Sequence, residues 1–191
     1  MAFLILGLVV FLASHSVRIF ADDARTRFIA QRGENAYKGL YTVASLIGLV
    51  LIIYGYATAR AAGPAVLYDP PIWMRHITVT LMWFSFVSLS AMKGKGWINS
   101  RLKHPMLAGI KIWAFAHLLA NGDVASVVLF GAFLAWAVVD RISAKRRAGE
   151  ADAHPKYPFG RPDIIAIVAG SVLYVIFLFW AHQWLIGVSP L

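Results

Sequence analysis

Six apolar runs, each close to the length that crosses a bilayer, constrain this chain more than any other feature. They occupy residues 2–20, 40–59, 76–92, 105–120, 124–139 and 164–186. A membrane-spanning helix needs about twenty mostly apolar residues, and inside hydrocarbon it must satisfy its backbone hydrogen bonds internally. Hydrophobic residues make up 60% of the 191, more than a water-soluble core calls for. The expected fold is therefore all-α: a polytopic transmembrane helical bundle of about six spans, in one domain covering residues 1–191. The first run lacks the basic start and small-residue cleavage site of a secretory signal, so it reads as a span.

Charge gives the expected orientation. Arg18, Arg25, Arg27, Arg32 and Lys38 follow the first run, and Lys93, Lys95, Arg101, Lys103 and Lys111 lie between the third and fourth or just inside the fourth. Arg141, Lys145, Arg146, Arg147, Lys156 and Arg161 lie between the fifth and sixth, while the loop after the second run carries only Arg60 and Arg75. The positive-inside rule places the basic loops in the cytoplasm and both termini outside. An even number of spans independently demands termini on one side. The net charge of +9 is thereby explained by topology and by anionic lipid headgroups, with no nucleic acid required. There is no cysteine, which excludes disulfides, zinc–thiolate sites, iron–sulfur clusters and covalent c-type haem attachment.

Punctuation follows from turn chemistry. Asn121-Gly122-Asp123 joins the short fourth and fifth runs as a tight antiparallel hairpin. Ala61-Ala62-Gly63-Pro64 and Asp69-Pro70-Pro71 bracket an outer loop that cannot be helical throughout, and Trp73 then falls where an interfacial aromatic belongs. Residues 148–162, with Pro155, Pro158 and Pro162, form a polar cytoplasmic linker that carries a solvated His154. Gly39, Gly48 and Gly55, like Gly109 and Ala116, have the spacing that lets membrane helices approach closely.

The histidines carry the candidate chemistry, because imidazole within a bilayer is costly and usually marks a metal, a haem or a proton path. His15 lies in Ser14-His15-Ser16-Val17-Arg18, in the inner half of the first span. His117 lies deep in the fourth, where Ala114 and Ala116 leave room for a flat cofactor. His104 precedes Pro105 at a helix start, where its ring has a headgroup phosphate to bind or the helix to cap. His76 and His182 fall near the outer interface. Acidic residues do not accompany these histidines on a span, which argues against a hydrolytic zinc site of the H-E-x-x-H kind. Neutral imidazoles in an apolar, aromatic-lined bundle suit haem, with Arg18 and Lys111 on the cytoplasmic side as cations for its propionates.

The block His104-Pro-Met-Leu-Ala-Gly, followed by Trp113-Ala-Phe-Ala-His117-Leu-Leu-Ala-Asn-Gly-Asp123, resembles the signature of the NnrU family. So do His15-Ser-Val-Arg18, Tyr37-Lys-Gly-Leu-Tyr-Thr-Val-Ala-Ser45 and Leu129-Phe-Gly-Ala-Phe, so that the resemblance covers nearly the whole chain. It implies a multi-pass protein of the bacterial inner membrane linked to denitrification, through production of active nitrite and nitric oxide reductases. Redox or denitrification proteins and membrane lipid are the implied partners. The family is similar to plant 15-cis-zeta-carotene isomerase, a membrane enzyme that uses haem b to isomerise a polyene double bond. Carried over by that similarity, His15 and His117 are the axial ligands and His104 is the histidine of the His-Pro motif. The isomerase's cysteine three residues before its second histidine is here Ala114.

Two histidines on one iron should lie at one depth. At about 1.5 Å per residue, His15 falls in the inner half of the bilayer and His117 toward the outer half. Tilt, or a first helix extending past Asp22, brings them level; otherwise depth pairs His117 with His182 or His76. The family mapping of His15 and His117 is the expectation retained. Under it, haem b sits in a pocket open to lipid, and a hydrophobic small molecule enters from the bilayer. Two other classes stand beside it. One is a non-enzymatic scaffold or assembly factor in which the histidines only knit helices together. The other is a lipid-modifying methyltransferase suggested by Lys103-His104-Pro105, which lacks the acidic and polar residues expected downstream for a nucleotide-like cofactor.

Overall fold

The computed structural model describes residues 1–149 and 155–191. His154 and the middle of the expected 148–162 linker lie outside the described residues. Each of the six apolar runs folds as helix: α1 (Ala2–Phe20), α3 (Glu34–Ala61), α4 (Met74–Ser90), α6 (Pro105–Ala120), α7 (Val124–Ala148) and α8 (Arg161–Ile176). The last run continues through a π-helical turn, Phe177–Ala181, into α9 (His182–Ile186). Two further helices occupy basic segments that the apolar pattern left as loops: α2 (Asp22–Arg32) and α5 (Trp97–Leu102).

Four of these segments are long and apolar enough to cross a membrane: Ala2–Phe20, Glu34–Ala61, Val124–Ala148 and Arg161–Ile186. Only 11–28% of their apolar windows is buried within the chain. Apolar helices with faces so little covered by protein have lipid as their natural solvent. α6, at 16 residues, is a shorter apolar helix, and α4 has 17 residues.

The chain divides into two compact units. The first holds residues 1–67 and 123–132; the second holds residues 68–122 and 133–191. In the first, α1 and α3 run antiparallel in close contact. A Cβ on Gly7 would lie 2.6 Å from the Ile52 amide nitrogen, and one on Gly48 would lie 2.7 Å from that of Phe11. A Cβ on Gly55 would strike the backbone of Leu4. The expected role of Gly48 and Gly55 is thus observed. Gly39 differs, since no atom lies within 4 Å of the Cβ it lacks. α1 does not extend past Asp22: Ala21 leaves helical geometry (φ −142°, ψ 39°) and the chain restarts as α2. The levelling of His15 by a longer first helix is therefore unavailable.

In the second unit α4 packs antiparallel against both α6 and α8. Ser85 Oγ donates to the Gly109 carbonyl (2.9 Å), and Thr78 Oγ1 donates to that of Ala116 (2.9 Å). On the other face Trp83 Nε1 donates to Ser171 Oγ (2.9 Å), and a Cβ on Gly170 would lie 2.7 Å from Val87 Cα. Asp123 caps α7 by accepting from the Ser126 amide (2.9 Å) and the Ser126 hydroxyl (2.5 Å), as a residue before a helix should. The loop at residues 62–73 is non-helical, as its prolines require.

Candidate functional site: a two-histidine cavity

The second unit carries a half-open cavity of about 230 Å³ bounded by α4, α6, the end of α8, the π-helical turn, α9 and the C-terminal tail. His117 and His182 both face it, and Arg75 brings a positive charge to its wall. Val79, Met82, Phe86, Phe177 and Leu178 supply an apolar lining, while Asn121 and Ser189 add polar groups. The cavity is thus amphipathic, with a polar, cationic portion beside an apolar one.

His117 is placed by α6. Its Nδ1 lies 2.9 Å from the Trp113 carbonyl oxygen one turn back. A carbonyl can only accept, so the proton sits on Nδ1 and the lone pair on Nε2. Asn121 Nδ2 donates to the His117 carbonyl (2.9 Å), which closes the end of the helix just below the ring. Trp113 packs beside His117 at 5.4 Å between centroids, and Phe133 sits edge-on to Trp113 at 5.5 Å.

His182 begins α9 immediately after the π-helical turn. Gly187 takes a left-handed conformation (φ 79°), and the reversed chain brings the Val188 carbonyl 2.7 Å from His182 Nδ1. By the same logic His182 carries its lone pair on Nε2. The two imidazoles are 6.4 Å apart between centroids, with planes only 21° from parallel.

His15 belongs to the first unit. Its Nδ1 faces the Phe11 carbonyl (2.7 Å) and the Ser14 hydroxyl (3.2 Å), and its ring stacks on Phe11 at 4.1 Å. Tyr41 lies 5.0 Å away and is itself stacked at 6.4 Å with Tyr37, over which Arg25 makes a cation–π contact. Arg18 is exposed in the last turn of α1, also in the first unit, while Lys111 is half-buried on α6 in the second.

The remaining candidate residues lie off the cavity lining. His104 starts α6 through its backbone (φ −132°, ψ 73°) and makes no side-chain cap. Pro105 follows in the first helical turn, where a missing N–H costs nothing. Ala114 and Ala116 are fully buried in helix packing and do not line the cavity. His76 is exposed and also lies off the lining, whereas its neighbour Arg75 is part of it. The sequence reading missed Arg75 as a site residue because it counted only as a loop charge. It missed the π-helical turn because hydropathy carries no sign of an extra residue per turn. Among the described residues no group of three or more His, Asp or Glu could hold a metal ion. Two neutral imidazoles with the proton on Nδ1 have the chemistry of donors that ligate through Nε2.

The family model described as NnrU protein matches residues 3–190. No curated protein and no solved structure matches the chain.

Proposed function

The chain belongs to the NnrU family, and we propose on that footing that it is a haem b-binding protein of the bacterial inner membrane. Its role is in producing active nitrite and nitric oxide reductases, or in isomerase-like redox chemistry on a hydrophobic substrate. The observation that carries this reading is the state of His117: an imidazole on an apolar helix, its Nδ1–H on the Trp113 carbonyl (2.9 Å), its other nitrogen a lone pair, beside an amphipathic cavity. Backbone-anchored imidazole of this kind is the usual form of a histidine ligand.

In this reading His117 would hold the haem iron, and His15 is the second ligand that the resemblance implies. The carbonyls of Trp113 and Phe11 hold the two rings in one tautomer. The apolar cavity wall excludes water and selects a hydrophobic partner, and basic side chains meet its acidic edge. Haem supplies one-electron redox chemistry when bound. Lipid surrounds the apolar faces, and redox or denitrification proteins meet the polar ones.

A second reading has a specific observation behind it. The back-bonds of His15 and His117 to carbonyls four residues earlier also stiffen their own helices, as a scaffold without haem would use them. Visible spectra of detergent-purified protein, oxidised and dithionite-reduced, with a pyridine haemochrome assay, separate the two. A stoichiometric b-type spectrum that is lost in His117→Ala supports the haem reading. A colourless protein from haem-replete cells supports the scaffold.

A further inference from the structure

We propose that the cavity of the second unit binds an anionic amphiphile, a single unbranched acyl chain lying along α4 with its oxyanion headgroup on Arg75. This names the hydrophobic partner of the proposed reading and rests on that reading for what the partner does there. The binding itself needs no haem.

Shape is the first argument. Arg75, Thr78, Val79, Met82 and Phe86 line the cavity from α4. Steps of three and four residues keep them on one face of the helix. From Arg75 to Phe86 that face runs roughly 16 Å, at about 1.5 Å per residue. α8 runs antiparallel to α4, so Tyr174 and Phe177 meet Phe86 at one end, with centroids 6.4 and 5.2 Å away. The tail residues Ser189 and Pro190 belong to the other end, with Arg75. A volume of about 230 Å³ drawn out over that length is narrow, and it falls below the roughly 300–1,000 Å³ of sites that enclose a whole small-molecule ligand. Such a space takes a chain rather than a ring system, and its half-open side lets a longer tail continue into lipid.

The second argument is the grading of polarity along that length. Arg75 in the first turn of α4, Asn121 just past α6 and Ser189 make one end polar. Met82, Phe86 and Phe177 make the other apolar, and the unbranched thioether of Met82 adapts readily to a flexible chain. Among the described residues no Asp or Glu lines the cavity, and the exposed Arg75 side chain makes no hydrogen bond, ion pair or ring contact. Its planar fork matches two oxygens of a carboxylate or phosphate. A neutral hydrocarbon would leave that charge unused, and a compact anion would leave the apolar wall uncovered. An amphiphile satisfies both. Trp73, 56% exposed and two residues before Arg75, is the kind of aromatic found at a membrane–water boundary, which is where a headgroup belongs.

The test is photo-crosslinking of the full chain in phosphatidylcholine nanodiscs with a diazirine-bearing palmitate, mapped by mass spectrometry. Labelled peptides should contain Met82, Phe86 or Leu178. Unlabelled palmitate should compete, and hexadecanol, the same chain without the charge, should not. Arg75→Ala should weaken palmitate about tenfold or more, as expected for loss of a charged hydrogen-bonded pair. Arg75→Lys should recover part of that loss. Met82→Trp is the second variant, because it fills the channel away from the cation. It should abolish labelling while the size-exclusion profile stays that of wild type. Competition by lysophosphatidylglycerol as strong as that by palmitate would identify a phospholipid as the source of the oxyanion, and competition by palmitate alone a free fatty acid. Equal competition by hexadecanol, or wild-type labelling in a folded Arg75→Ala or Met82→Trp, overturns the proposal. Visible spectra of the same samples keep the two readings apart. Haem-loaded protein without a palmitate site overturns this proposal and leaves the haem reading standing, whereas colourless protein that binds palmitate does the reverse.

Discussion

Asp163 is 1% exposed, and its carboxylate accepts three backbone N–H groups: Trp97 at 3.0 Å, Ile98 at 2.8 Å and Gly160 at 3.0 Å. One side chain thus satisfies the first amides of α5 and closes the start of α8. Gly96 makes room for it, since a Cβ there would lie 2.5 Å from the carboxylate. Replacing Asp163 with Ala strands three donors at once. Charged hydrogen bonds of this kind are worth about 1.5–3 kcal/mol each, so the thermal midpoint in detergent should fall steeply. A midpoint within a degree of wild type would show that water or lipid headgroups replace the carboxylate. Nothing in the sequence points across from residue 163 to residue 97, because only the fold brings those segments together. The histidines were legible for the opposite reason. Their cost in lipid marks them at any position. The approach of His182 to His117 was open beside that of His76 on depth alone, because it depends on a π-helical turn and a chain reversal rather than on residue type.

At the scale of elements, hydropathy found the long helices because an apolar run of bilayer length has few other ways to satisfy its backbone. It missed α2 and α5, whose polar and basic residues lack an apolar stripe. It also treated three glycines of α3 alike. Gly48 and Gly55 face α1, whereas Gly39 faces open space. The difference yields a paired prediction. Gly55→Leu should separate α1 from α3, because the added side chain would overlap the backbone of Leu4, which a rotamer change cannot relieve. Overpacking costs about 1–3 kcal/mol where neighbours can move and more where they cannot. Gly39→Ala should be neutral or stabilising by up to about 1 kcal/mol, because a helix prefers alanine to glycine. Heat-induced loss of the monodisperse peak in size-exclusion chromatography reads both. Equal behaviour of the two variants would contradict the close α1–α3 contact.

For the whole molecule, length and charge make separate demands. α4 and α6, with 17 and 16 residues, fall a little short of the roughly 20 that a bilayer asks for. Local thinning of the bilayer and snorkelling of flanking residues make up such a deficit at modest cost. If both cross, the loop at residues 62–73 and the two termini share one side, and the basic segments around Arg27, Lys95 and Arg146 share the other. If either does not, the alternation breaks at that helix. The absence of cysteine makes this directly measurable, since each introduced thiol is the only one in the chain. Cysteines placed singly at Val66 and Ser189 should react with a membrane-impermeant maleimide in intact spheroplasts. Cysteines at Lys95 and Arg146 should react only after lysis. Labelling of the Lys95 variant from outside would show that the charge rule has been overridden between α4 and α6. That outcome would also alter the depth at which His117 meets the membrane, and with it the side from which a hydrophobic partner enters.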